Sequence, residues 1–116
     1  MSPGRVAIIG FGAIARDLIA ILAAQETPPR RLSVLVRPGR EAEARAVLGA
    51  EEAVMSDRAA LMATRPDVVV ECAGHGAVAE HGAAVLESGV DLIVASVGAL
   101  ADADLAAGLA AAAQAS

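Results

Sequence analysis

The sequence predicts an α/β fold, a doubly wound parallel sheet with helices on both faces. Three observations predict it. Short apolar, β-branched runs alternate with helix-patterned segments along the chain. The first run, Val6-Ala7-Ile8-Ile9, ends in Gly10-Phe11-Gly12-Ala13-Ile14-Ala15, a Gly-x-Gly-x-x-Ala turn that leads into a helical pattern. The 116 residues are 56% apolar with a single aromatic, Phe11, which suits one domain with a core of Val, Ile, Leu and Ala layers.

Each element has its own reason. Strand β1 is expected over Arg5–Ile9, a β-branched run closed by glycine. Helix α1 is expected over residues 13–24, where Ile14, Leu18, Ile21 and Leu22 recur at helical spacing, Arg16 and Asp17 take the other face, and Thr27-Pro28-Pro29 stops the helix. Strand β2 (residues 32–36) ends at Arg37-Pro38-Gly39-Arg40, and helix α2 (residues 40–48) has Gly49 as its C-cap. A short strand β3 (residues 52–55) is followed by Ser56 as the N-cap of helix α3, which ends before Pro66. Strand β4 (residues 67–72) is a continuous apolar run, as a central parallel strand should be. Gly74-His75-Gly76 leads into helix α4, which ends near Ser88-Gly89. Strand β5 (residues 91–96), a turn at residues 97–100 and an alanine-rich helix α5 (residues 101–115) complete the pattern.

Strict β–α alternation implies right-handed crossovers and a Rossmann-like strand order of 3-2-1-4-5. Ligand should lie across the carboxyl ends of β1, β2, β4 and β5, at the switch point between β1 and β4. No sixth strand follows, so β5 is expected to be an apolar edge of the kind that soluble proteins pair or cover. The expectation is further chain or a partner subunit, with this chain a fragment of a longer protein that assembles as a homo-oligomer.

Composition removes several function classes. The net charge of −5 argues against nucleic acid or an anionic membrane as partner. No apolar stretch has the length of a membrane span and the N-terminus lacks a signal-type apolar region, so the expected compartment is the cytoplasm. The lone Cys72 excludes an internal disulfide. All nine basic residues are arginine, and Tyr and Trp are absent. That rules out a Walker A loop, a Tyr/Lys catalytic pair and Schiff-base chemistry.

The residues that can carry chemistry gather at strand ends. Gly10 permits the tight turn, Gly12 lets backbone approach a pyrophosphate, and Ala15 is small enough for the helix to pack on the strand. The free N–H groups and positive dipole end of α1 suit phosphates. The end of β2 carries no acid where an NAD-selective site has Asp or Glu. Arg37 stands there, with Arg40 nearby, and a guanidinium can fork onto a 2′-phosphate. The cofactor is therefore expected to be NADP in preference to NAD, or either of the two; the alternative is that Arg37 and Arg40 are solvated loop charges or stack on adenine. At the end of β4, Ala73 and Gly74 leave room for the nicotinamide ribose. His75 can contact ribose, nicotinamide or substrate, or act as an acid/base group; the alternative is a polar helix start. Glu71 bonds backbone or ribose, or is simply a strand-end carboxylate; Cys72 reads as a small core residue rather than a nucleophile, and His81 as a surface residue. His75 and His81 lack the i,i+4 spacing of a helical metal pair, so no metal site is expected. Ser96 and Val97 after β5 face the nicotinamide side or merely cap the strand.

Val69-Val70-Glu71-Cys72-Ala73-Gly74-His75, with Ser96-Val97-Gly98-Ala99-Leu100 and the early Gly10-Phe11-Gly12-Ala13-Ile14-Ala15, resembles the cofactor domain of the L-aspartate dehydrogenases over essentially the whole chain. The resemblance implies NAD(P)-dependent oxidative deamination of L-aspartate to iminosuccinate, which hydrolyses to oxaloacetate and ammonia and can also feed NAD biosynthesis. It implies cofactor contacts at Gly10, Phe11, Gly12, Ala13 and Ile14, at Arg37, at Ala73, Gly74 and His75, and at Ser96 and Val97. Family members are longer, with a second α+β domain that carries the catalytic histidine and most substrate contacts. Neither His75 nor His81 matches that catalytic position, and the clamp for the dicarboxylate substrate is expected in the second domain. Two other classes fit the glycine motif: a free-standing NAD(P)-sensing module without catalysis, and, less well, a fold that binds S-adenosylmethionine.

Overall fold

The computed structural model describes residues 4–26, 28–48, 53–95 and 103–115. Their elements run β1 (Arg5–Ile9), α1 (Ala13–Ala23), β2 (Arg31–Leu35), α2 (Glu41–Leu48), β3 (Val54–Met55), α3 (Arg58–Ala63), β4 (Val68–Glu71), α4 (His75–Glu87), β5 (Asp91–Val94) and α5 (Ala103–Ala115). The five strands form one parallel sheet in the order β3-β2-β1-β4-β5. Gly49 and Glu52 lie outside the described residues, as does the turn at residues 97–100.

The apolar strand runs follow from burial on both faces. In β1, Val6 and Ile8 enter one core with Ala15 of α1, Val34 of β2, Ala44 of α2 and Val54 of β3. Ala7 and Ile9 enter the other with Leu35, Leu61 of α3, Val69 and Val85 of α4. Each fully buried aliphatic side chain, Ile8 foremost, contributes about 1.5–3 kcal/mol of transfer free energy. Ala15 is wholly buried where α1 meets the sheet, as its small side chain allows. Helix α5 packs on α4 through Leu109 and Val78. Gly82 makes this possible, because a Cβ there would stand 2.7 Å from Leu109 Cδ2.

Within the helices, the structure corrects the sequence reading of the α1 stripe and of the α3 cap. The buried stripe of α1 is Ala15, Leu18, Ile19 and Leu22, whereas Ile14 and Ile21 are 60% and 59% exposed. The closest approach to the sheet is made by Ala15, so the stripe is phased one residue later than the larger side chains suggest. The N-cap of α3 is Asp57 rather than Ser56: its carboxylate accepts from Ala59 N at 3.4 Å and Ala60 N at 3.3 Å. Asp57→Ala should therefore cost about 1 kcal/mol in urea unfolding, and Ser56→Ala distinctly less.

Strand β5 lies at the edge of the sheet, paired with β4, and leaves Ile93 55% exposed. Among the described residues no sixth strand covers it. No described helix is long and apolar enough to cross a membrane.

Candidate functional site

A cavity of about 1030 Å³ opens over the carboxyl ends of the strands, bounded by the β1–α1, β2–α2 and β4–α4 connections. Parallel strands all point their carboxyl ends, and hence the N-termini of the following helices, toward this side. The switch point between β1 and β4 falls beneath it.

Gly10 turns the chain out of β1 with φ of +107°, a region that L side chains seldom adopt. Its N–H is held by Leu35 O at 2.9 Å. A Cβ on Gly10 would stand 2.9 Å from Ala73 Cβ and 3.0 Å from Ala73 Cα, so the β1–α1 and β4–α4 connections touch at this point. Gly12 differs. Its φ of −90° is ordinary, and a Cβ built on it meets nothing within 4 Å. Neither conformation nor packing within the chain calls for glycine there; the space belongs to the cavity. Behind it, α1 begins with no side-chain cap and no acid in its first turn. Its first N–H groups and dipole end are available to an anion.

The start of α4 is built similarly. Gly74 is its N-cap at φ of +124°, again without a side-chain cap or a first-turn acid. The preceding loop is braced by Glu71, which is only 1% exposed. Its Oε2 accepts from Ala73 N at 2.8 Å and Gly74 N at 2.6 Å. Of the sequence readings of Glu71, the backbone bond is the observed one. A buried carboxylate needs such partners, and these fix the loop that meets Gly10. Cys72 lines the cavity beside it. Burial, and then the neighbouring Glu71 charge, push its thiol pKa up, which keeps it protonated, as the core-residue reading expects. His75 is the first residue of α4; its side chain, and Ser96 and Val97 altogether, lie outside the described residues.

At the β2 end, Val36, Arg37, Pro38 and Arg40 line the cavity. No acid replaces the missing ribose carboxylate at the strand end. Glu41 is committed to the adjoining turn: its Oε1 accepts the Gly39 N–H at 2.5 Å. Backbone N–H groups of Glu41 and Gly39 hold its pKa below the usual carboxylate range. Arg16 and Glu43 also line the cavity, and neither stands out as a site residue in the sequence. Arg16 sits 4.8 Å above the Phe11 ring and pairs with Glu43 Oε1 at 2.9 Å, while Arg40 pairs with Glu43 Oε2 at 3.1 Å. Of the three lining guanidinium groups, Arg16 and Arg40 thus share one carboxylate, and Arg37 stands exposed at the rim.

His81, expected at the surface, is instead half-buried and lines the cavity with Glu80 and Ser56. Arg58 of α3 donates from Nη1 to Glu80 O at 2.9 Å and to His81 Nδ1 at 3.2 Å. A guanidinium can only donate, so Nδ1 is the acceptor and the neutral ring carries its proton on Nε2. Nε2 lies 3.5 Å from Glu80 Oε2. Burial pushes the His81 pKa down, against the pull of Glu80 and with the push of Arg58. One signal was available: Ala77 and His81 are i,i+4 neighbours, so the helix face that follows the glycine turn carries His81 as well.

Residues 10–116 match the family described as homoserine dehydrogenase, NAD binding domain. The chain is 48% identical over 102 residues to L-aspartate dehydrogenase 1 of Bordetella pertussis, covering 87% of this chain and 37% of that protein. It is 45% identical over 111 residues to L-aspartate dehydrogenase 2 of Bordetella bronchiseptica, covering 96% and 41%. It is 41% identical over 99 residues to the L-aspartate dehydrogenase of Ruegeria pomeroyi, covering 85% and 34%. The chain therefore spans roughly two fifths of the length of the curated relatives it matches.

Proposed function

This chain belongs to the family of homoserine dehydrogenase NAD-binding domains, and from that premise we propose that it is the cofactor-binding part of an L-aspartate dehydrogenase. The observation that carries the proposal is the open space in front of Gly12, where a Cβ would meet nothing beyond its chain neighbours at the uncapped start of α1. That combination suits a pyrophosphate, which needs close backbone approach, free N–H donors and no competing carboxylate.

A nicotinamide held here would supply the hydride acceptor for oxidation of the L-aspartate Cα–N bond, with loss of an amine proton, to iminosuccinate, whose hydrolysis gives oxaloacetate and ammonia. This chain's residues bind and orient. The proposed contacts are Gly10, Phe11, Gly12, Ala13 and Ile14 at the first turn of α1, and Arg37 at the β2 end. Ala73, Gly74 and His75 serve at the start of α4, and Ser96 and Val97 beyond β5. Glu71 positions the Ala73–Gly74 backbone. The lining arginines gather at the β2 end, away from β4 and β5. The clamp for a dicarboxylate substrate is accordingly assigned to a second domain of the enzyme. The exposed Ile93 edge supports assembly with further protein as a homo-oligomer, and the single thiol supports a cytoplasmic setting.

Arg37 makes NADP the favoured cofactor. Among the lining guanidinium groups it is the one not tied to Glu43, and a 2′-phosphate offers it a charge-assisted, forked partner. Arg37→Asp should weaken NADP binding by at least about ten-fold in a calorimetric titration while leaving NAD within about two-fold. Unchanged NADP affinity in that variant would remove Arg37 from the site.

A further inference from the structure

From the arrangement at the β2 end we infer that Glu43 is a built-in competitor of the 2′-phosphate and sets how strongly the site prefers NADP over NAD. The inference rests on the cofactor site proposed above. Its basis is the sharing of one carboxylate by two cavity-lining guanidinium groups, Arg16 at 2.9 Å and Arg40 at 3.1 Å. Both pairs are well exposed, with the Arg16, Glu43 and Arg40 side chains at 43%, 50% and 70%. Exposed pairs of this kind add little to stability, so the effect of Glu43 falls on the cavity. It neutralises part of a basic rim within a chain whose net charge is −5.

The geometry leaves Glu43 standing where an anion would be held. Arg16 lies over the Phe11 ring, 4.8 Å from its centroid, a contact that favours this orientation of the guanidinium whether or not the carboxylate withdraws. A phosphate monoester presents three acceptor oxygens and nearly two charges, enough to engage Arg37 and also replace Glu43 on Arg40 or Arg16. With a cofactor that lacks this phosphate, Glu43 stays paired with Arg16 and Arg40. One site then accepts both cofactors, and the displacement of Glu43 subtracts from the affinity for NADP alone.

The test is a calorimetric titration of the full chain and its Glu43→Gln variant with NADP and, separately, NAD. Thermal melts run beside it confirm that both are folded. Glutamine keeps the shape and removes the charge. NADP should bind about five-fold tighter to the variant, with NAD within about two-fold, and the gain should shrink as salt is raised. Glu43→Ala should give the same sign. Unchanged or weaker NADP binding would overturn the inference, and so would equal tightening of both cofactors. Arg37→Asp separates the two claims. If it weakens NADP while Glu43→Gln changes nothing, the site stands and the competitor role falls. If neither cofactor binds the folded wild-type chain, both fall.

Discussion

Gly10→Ala should destabilise the domain by about 3 kcal/mol, from two additive causes: a left-handed φ costs about 1–2 kcal/mol for an L side chain, and overpacking a tight interface costs about 1–3 kcal/mol. The φ of +107° supplies the first. The second comes from the new Cβ lying 2.9 Å from Ala73 Cβ and 3.0 Å from its Cα. Backbone on the far side cannot give way, because the Ala73 and Gly74 N–H groups are tied to buried Glu71. In a domain of this size the melting temperature should fall by roughly 10 °C or more. Ala73→Gly in the same chain should recover only part of the loss, since it removes the overlap of the two methyl groups but leaves the residue 73 backbone just as close and the φ just as strained. A melt within a degree or two of wild type would show that the two loops do not touch as described.

Gly12→Val should do the opposite: little to stability and much to binding. The φ of −90° and ψ of −163° are extended values that any residue adopts. Beyond its chain neighbours, the added carbon meets nothing within 4 Å. Loss of glycine at an N-cap costs less than about 1 kcal/mol. The side chain instead fills the space in front of the first turn of α1, so affinity for NADP and NAD alike should drop by about 100-fold or more, as expected when a charged group loses its close backbone donors. The contrast between the two glycines separates a residue needed by the fold from one needed by the ligand. Equal loss of stability in both variants would erase that distinction.

The fold was legible because its signals are local and mutually consistent. Apolar strand runs, a glycine turn and helical spacing recur in strict alternation, and alternation with right-handed crossovers restricts the strand order. Boundaries were less legible where adjacent residues compete for one job. Ser56 and Asp57 are both good caps, and only the backbone phase of α3 selects Asp57. In α1 the same ambiguity hid the stripe, because Ala15 faces the sheet while Ile14, one residue earlier, faces out. At the site, the glycines and Arg37 announce themselves through chemistry at strand ends. Arg16 did not, since on a helical wheel it is simply polar. Its partner Glu43 comes from another helix, 27 residues on, and no local pattern pairs them. Arg58 and His81 likewise meet only because α3 and α4 cover the same sheet face.

The most direct test of the central claim, that the Gly12 space at the start of α1 is a dinucleotide site, is one calorimetric comparison. Wild-type chain and Gly12→Val are titrated with NADP after melts have established that both are folded. The account predicts saturable one-to-one binding by the wild type and binding weaker by about 100-fold in the variant, with melting temperatures within a few degrees of each other. Equal binding by the two chains, or no binding by the folded wild type, would contradict it.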